Sequence, residues 1–146
     1  KNPAGFVVRL HILGDFYSVG YVAKWAKWLS MFPALHVYGY TANQPDAVDD
    51  TERSIGQALL TLLDACSDRW AVRFSGNFNR ATMTANSADD SRAMDAVEAK
   101  QAFLCPTQIS KVTGKYAAKG EETLVPDCGA CGLCWTASKP VVFITH

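Results

Sequence analysis

Phe6-Val-Val-Arg-Leu-His-Ile-Leu13 is the stretch on which the fold turns. Branched apolar residues alternate there with Arg9 and His11, the period-two pattern of a strand, and Gly14-Asp15 supplies its stop. Ser18 then offers a helix cap. From it a helix runs to about Met31, with Tyr21, Val22, Trp25, Leu29 and Trp28 toward the buried side, until Pro33 ends it. Leu35 to Thr41 reads as a second strand and Asn43 to Asp50 as a polar loop. Thr51 is the expected cap of a second helix through about Ala65, with Ile55, Leu59, Leu62, Leu63 and Cys66 spaced as one face. Arg69 to Ser75 is a third strand. Strands separated by helices are repeated βαβ units, which require right-handed crossovers and a parallel sheet.

Beyond Asn77 the pattern weakens. Residues 79–92 are small and polar, with room for a short strand at Ala81 to Ala85. Residues 110–127 look like a surface excursion, and Val141 to Thr145 is a last strand. The expected class is therefore α/β: a parallel sheet or partial (βα) barrel with a Cys-rich metal-binding C-terminal segment. Its 146 residues form one domain on length. Residues 1–78 make a βαβαβ core, 79–104 a connecting segment, and 105–146 the Cys-rich segment and final strand.

Fourteen basic and fourteen acidic residues cancel, so no overall charge advertises a nucleic acid, although that partner stays possible. Lys100, Lys111, Lys115 and Lys119 are offset by Glu98, Glu121 and Glu122 and read as a solvated face. No apolar run approaches the roughly 18 residues a bilayer span needs. The chain opens at Lys1 and enters a strand almost at once, which suggests a removed upstream segment or a fragment.

Five cysteines are present, and four look like ligands. Cys128-Gly-Ala-Cys131-Gly-Leu-Cys134 places three thiols at two-residue gaps, and Cys105-Pro106 can supply a fourth by folding. Gly129 and Gly132 suit a turn that brings the backbone close to the sulfurs. Four thiolates suit an iron–sulfur cluster or tetrahedral zinc. C-x2-C-x2-C with a Cys-Pro uses ferredoxin vocabulary in a different order, and makes a 4Fe-4S cluster the first expectation and zinc the alternative. Buried cysteines packed as small apolar residues explain such clustering poorly. Cys66 stands apart as a core residue. This usage fits a reducing, cytoplasmic setting better than a disulfide framework.

The strands also carry a polar row on one side. Alternation groups Arg9, His11 and Asp15, then His36, Tyr38 and Tyr40, then Arg73, Ser75 and Asn77. Parallel sheets covered on both faces are apolar on both, so these rows should meet in one concave polar surface near the C-terminal strand ends. Asp15, His11, Arg73 and Asn77 are the catalytic candidates, because a carboxylate near an imidazole allows proton transfer. Arg9, Tyr38, Tyr40 and Ser75 are candidates for holding a cofactor or ligand. Each has a structural alternative: an Arg9 ion pair with Asp15 or Asp68, a hydrogen-bonded core histidine, tyrosines that only pack. The Trp25/Trp28/Leu29/Phe32 group reads as helix-to-sheet core rather than a base-stacking platform.

Arg9-Leu-His-Ile-Leu-Gly-Asp15-Phe-Tyr-Ser18 with Tyr21 and Lys24-Trp25, Tyr38-Gly-Tyr40-Thr41, Val72-Arg-Phe-Ser-Gly-Asn77, and Cys105-Pro…Cys128-x2-Cys131-Gly-Leu-Cys134-Trp…Phe143…His146 together resemble the phage gene product 88 family. The resemblance covers nearly the whole chain. It implies a protein encoded by a phage or mobile element, and family members usually carry a cysteine-bearing segment upstream of the part seen here. A more distant likeness to radical S-adenosylmethionine barrels implies a cluster ringed by polar strand ends, yet the C-x3-C-x2-C of those enzymes is not in this sequence. The functional expectation is an iron–sulfur-cluster-binding phage protein, related to redox or radical-type enzymes. The alternative is a zinc-stapled module that binds a small molecule, a protein or a nucleic acid without catalysis.

Overall fold

The computed structural model describes residues 5–76, 84–88, 90–106 and 128–143. The chain divides into two compact units, Lys1–Ser75 and Gly76–His146. The first carries β1 (Phe6–Arg9), α1 (Val19–Met31), β2 (Leu35–Thr41), α2 (Asp50–Ala65) and β3 (Trp70–Ser75). The second carries β4 (Thr84–Ser87), α3 (Ser91–Glu98), β5 (Phe103–Leu104), two single-turn helices, α4 (Cys128–Cys131) and α5 (Leu133–Thr136), and β6 (Val141–Phe143).

In the first unit β1 pairs with β2 and β2 with β3, both parallel, as two βαβ units demand. Ser18, in extended backbone, caps α1 through Oγ, which accepts the Tyr21 amide at 3.1 Å. For α2 the cap is Asp49 and not Thr51. Its carboxylate accepts the amides of Thr51 and Glu52, both at 2.9 Å, and a carboxylate also suits the positive end of the helix. Gly56 lets α2 close on the preceding loop, because a Cβ there would lie 2.4 Å from the carbonyl carbon of Gln44.

Alternation sends Trp70, Val72 and Phe74 to one face of the sheet, with Val37 in register. All four are at most 1% exposed, and Leu29 of α1 and Leu59 of α2 are equally buried. Trp25 of α1 meets Trp70 with ring centroids 6.4 Å apart. Each such side chain contributes about 1.5–3 kcal/mol on burial, so this layer holds the unit together.

Two expectations need correction. The first strand ends at Arg9, four residues short of Leu13. Leu10 still donates its amide to the Tyr38 carbonyl at 2.7 Å, but His11 adopts a left-handed conformation, φ 51°, and the chain turns away. Ile12 and Leu13 end up 82% and 91% exposed, although alternation put Ile12 inside. Trp28 and Phe32, assigned to the core, are exposed as well.

In the second unit β6 lies between β4 and β5, parallel to both. The segment read as a connector contains β4 and α3. Asp90 caps α3 at the Arg92 amide, 3.0 Å away. Ala93, Ala96, Ala102 and Val142 form a small core, flanked by Met94, Val97 and Leu104. The described strands thus make short parallel sheets. No barrel is seen among the described residues.

Candidate metal centre

The cysteine-rich segment folds into two one-turn helices joined at Gly132. That residue sits at φ 65°, a conformation that strains any residue with a Cβ. Its amide closes α4 on the Cys128 carbonyl at 3.0 Å, and its carbonyl accepts the amides of Trp135 and Thr136 to open α5. The left-handed residue therefore breaks the helix between Cys131 and Cys134. Cys105, just past β5, hydrogen-bonds through its amide to Val142 of β6 at 2.8 Å.

These constraints bring Cys105, Cys128, Cys131 and Cys134 to the lining of one pocket, completed by Pro106, Leu133 and Val141. Cys105 is buried, Cys131 and Cys134 half-buried, and Cys128 exposed. Its cavity volume is about 10 Å³, on the order of one water molecule. None of the four is joined in a disulfide. The donor set fits a soft metal, and the apolar wall is the kind of shell that tunes one. The side chains do not form a closed coordination shell: among the described residues, no three Cys, His, Asp or Glu side chains are grouped to hold an ion.

The polar strand residues do not all come together. Register and alternation put Arg9, Tyr38, Tyr40, Arg73 and Ser75 on one face of the first unit's sheet, opposite Trp70. Arg73 is wholly buried and Tyr38 nearly so, Tyr40 and Ser75 are half-buried, and Arg9 is exposed. His11 does not join them. Its left-handed backbone turns the ring among aromatics, 4.5 Å from Phe16 and 5.8 Å from Tyr21. Both ring nitrogens are covered without a hydrogen-bond partner. Burial lowers the His11 pKa, and the charge of Asp15 opposes that. Asn77 lies outside the described residues, as does His146.

Asp15 ties the strand ends together. One carboxylate oxygen accepts the Phe16 amide and the other the Ala42 amide, each at 2.6 Å. Asn43, missed in the sequence, extends this clamp: its side-chain amide donates to the Phe16 carbonyl at 3.0 Å and to Thr41 Oγ1 at 3.1 Å. Gln44 donates to the Ser75 carbonyl at 2.7 Å and reaches the end of β3. The available signal was compositional, since Thr41-Ala-Asn-Gln44 at a strand end is rich in groups that bond loop backbone. Asp68, offered as an Arg9 partner, instead lies 3.6 Å from Arg69.

No helix of the described residues is long and apolar enough to cross a membrane. No solved structure matches the chain. The Gene 88 protein of Mycobacterium phage D29 is 28% identical over 147 aligned positions, which cover 99% of this chain and 57% of that protein. The chain thus spans little more than half the length of the curated relative it matches. The gene product 88 family matches residues 1–137, from the first strand through the cysteine turn. The chain belongs to the gene product 88 family, a family of phage proteins.

Proposed function

We propose that this chain is an iron–sulfur-cluster-binding phage protein whose ligands are Cys105, Cys128, Cys131 and Cys134. The observation that carries the reading is the shared pocket. Thiols up to 29 positions apart in sequence line one small apolar cavity, brought there by the Gly132 turn and the β5–β6 pairing. Four thiolates would hold a 4Fe-4S cluster, and when bound that group supplies one-electron redox chemistry. The chain's own part is to present sulfur, exclude water with Leu133 and Val141, and leave Cys128 at the entrance.

Zinc is the second reading, favoured by the cavity volume, which suits a single ion better than a cluster. Zinc would staple α4 and α5 to β5 without chemistry of its own. Anaerobic purification followed by metal analysis and an absorption spectrum separates the two. A cluster gives brown protein with iron and labile sulfide, and zinc gives colourless protein. Cys131→Ser is expected to strip either metal. Retention of full metal content in that variant would sink the ligand assignment.

The polar face of the first sheet supports a weaker, separate part of the proposal. Arg9, Tyr38, Tyr40, Arg73 and Ser75 would bind a small polar ligand there. Asp15 acts as a loop clamp in this reading, because both its oxygens are engaged by backbone amides.

A further inference from the structure

The solvent side of α1 carries a groove that the cysteine pocket does not explain. Tyr17, Tyr21, Lys24, Lys27, Trp28 and Met31 line it, around a volume of about 440 Å³. Residues 17, 21, 24, 28 and 31 fall at helical spacing and make one stripe. Tyr17 and Tyr21 are stacked, with centroids 4.8 Å apart and planes 19° from parallel. Tyr17 is 69% exposed, and Trp28 and Met31 are exposed too. An apolar stripe of this kind on a surface helix calls for a partner.

The chemistry narrows the partner. The charged side chains lining the groove are Lys24 and Lys27, and the sequence of α1 contains neither Asp nor Glu. An anionic occupant is therefore favoured. Amides within a helix are bonded internally, so this surface offers aromatic faces and ammonium groups rather than a backbone edge for a peptide strand. Flat rings interleaved with cations match unpaired bases on a phosphate chain, where stacking and charge act together. We infer that the α1 groove binds single-stranded nucleic acid, with Tyr17, Tyr21 and Trp28 as stacking surfaces and Lys24 and Lys27 on the phosphates. The chain's zero net charge does not oppose this, because the groove itself is locally basic.

The test is fluorescence anisotropy of a labelled mixed-sequence DNA single strand against the full 146-residue chain at low salt. Saturable binding that weakens with added salt and prefers the single strand to its duplex is expected. Lys24→Glu/Lys27→Glu should abolish it. Tyr17→Ala, at an exposed position before the helix, should weaken it about tenfold or more with an unchanged circular dichroism spectrum. Free mononucleotide should compete far less well than the strand. No saturable binding at low salt would overturn the inference. So would a Tyr17→Ala variant that binds as tightly as wild type. Displacement by poly-glutamate as readily as by unlabelled strand would identify an acidic-protein site instead. Concentration-dependent dimerisation lost in Tyr17→Ala would identify a second copy of the chain as the occupant.

Discussion

His11 shows how one backbone torsion redirects a site. Alternation from Val8 to Ile12 is regular, and nothing in the side-chain types announces a left-handed residue at 11. Histidine adopts that region more readily than a branched residue, yet the signal is weak. The strand therefore stops early, and the imidazole joins Phe16 and Tyr21 instead of the Arg9 row. Because burial lowers its pKa, the folded state disfavours the protonated ring. Below about 6.5 the unfolded chain takes up a proton more readily than the folded one, so stability falls as pH drops through that value toward the folded pKa. His11→Phe should flatten this acid-side loss, measured by urea unfolding between neutral and mildly acidic pH. An unchanged slope would place the titration elsewhere. Asp15 yields a second prediction. Asp15→Asn turns one of its two acceptors into a donor facing an amide, and should cost about 1–3 kcal/mol of unfolding free energy. A neutral substitution would mean that the loop clamp does not stabilise the strand ends.

At the scale of elements, the parts that rest on strong apolar periodicity are legible in the sequence. β2, β3, α1 and α2 fall where Val37, Trp70, Val72, Leu29 and Leu59 demand burial, and the parallel order follows from the intervening helices. α3 was hidden because its inner face is mostly alanine, with Ala93 and Ala96 in place of larger side chains. A weak apolar signal among Asp90, Ser91 and Arg92 resembles a polar loop. Trp28 was misassigned for the opposite reason: a large aromatic on an amphipathic helix reads as core, whereas here it lines an open groove. The α2 contact gives a prediction that runs against helix propensity. Alanine is favoured over glycine inside a helix by about 1 kcal/mol. At Gly56 the added methyl would strike the backbone at Gln44 and Pro45, so Gly56→Ala should destabilise by about 1–3 kcal/mol in thermal or urea unfolding. A stabilised variant would contradict the close approach of α2 to that loop.

Taken as a whole, the chain has two compact units, each with its own parallel strand pairings and its own small core. The metal reading places the cysteine ligands entirely within the second unit. Among the described residues of that unit, alanines fill most of the core cluster, so a bound metal would supply a large share of its stability. Removing the metal should therefore raise amide hydrogen exchange across residues 128–143 while β2 and β3 stay protected. Equal loss of protection in both regions would argue against a local staple. Cysteine spacing is what makes the proposed ligand set readable in the sequence, because C-x2-C-x2-C has few explanations apart from a metal. The groove on α1 was not legible in composition, since whole-chain charge averages away two lysines on one helix face. The central claim is that four cysteines hold one metal centre, and anaerobic analysis of iron, labile sulfide and zinc in the wild type and in Cys131→Ser tests it most directly. The account predicts about four iron and about four sulfide per wild-type chain, or about one zinc on the second reading, and neither in the variant. Wild-type protein without stoichiometric metal, its thiols all open to a thiol reagent under native conditions, would contradict it.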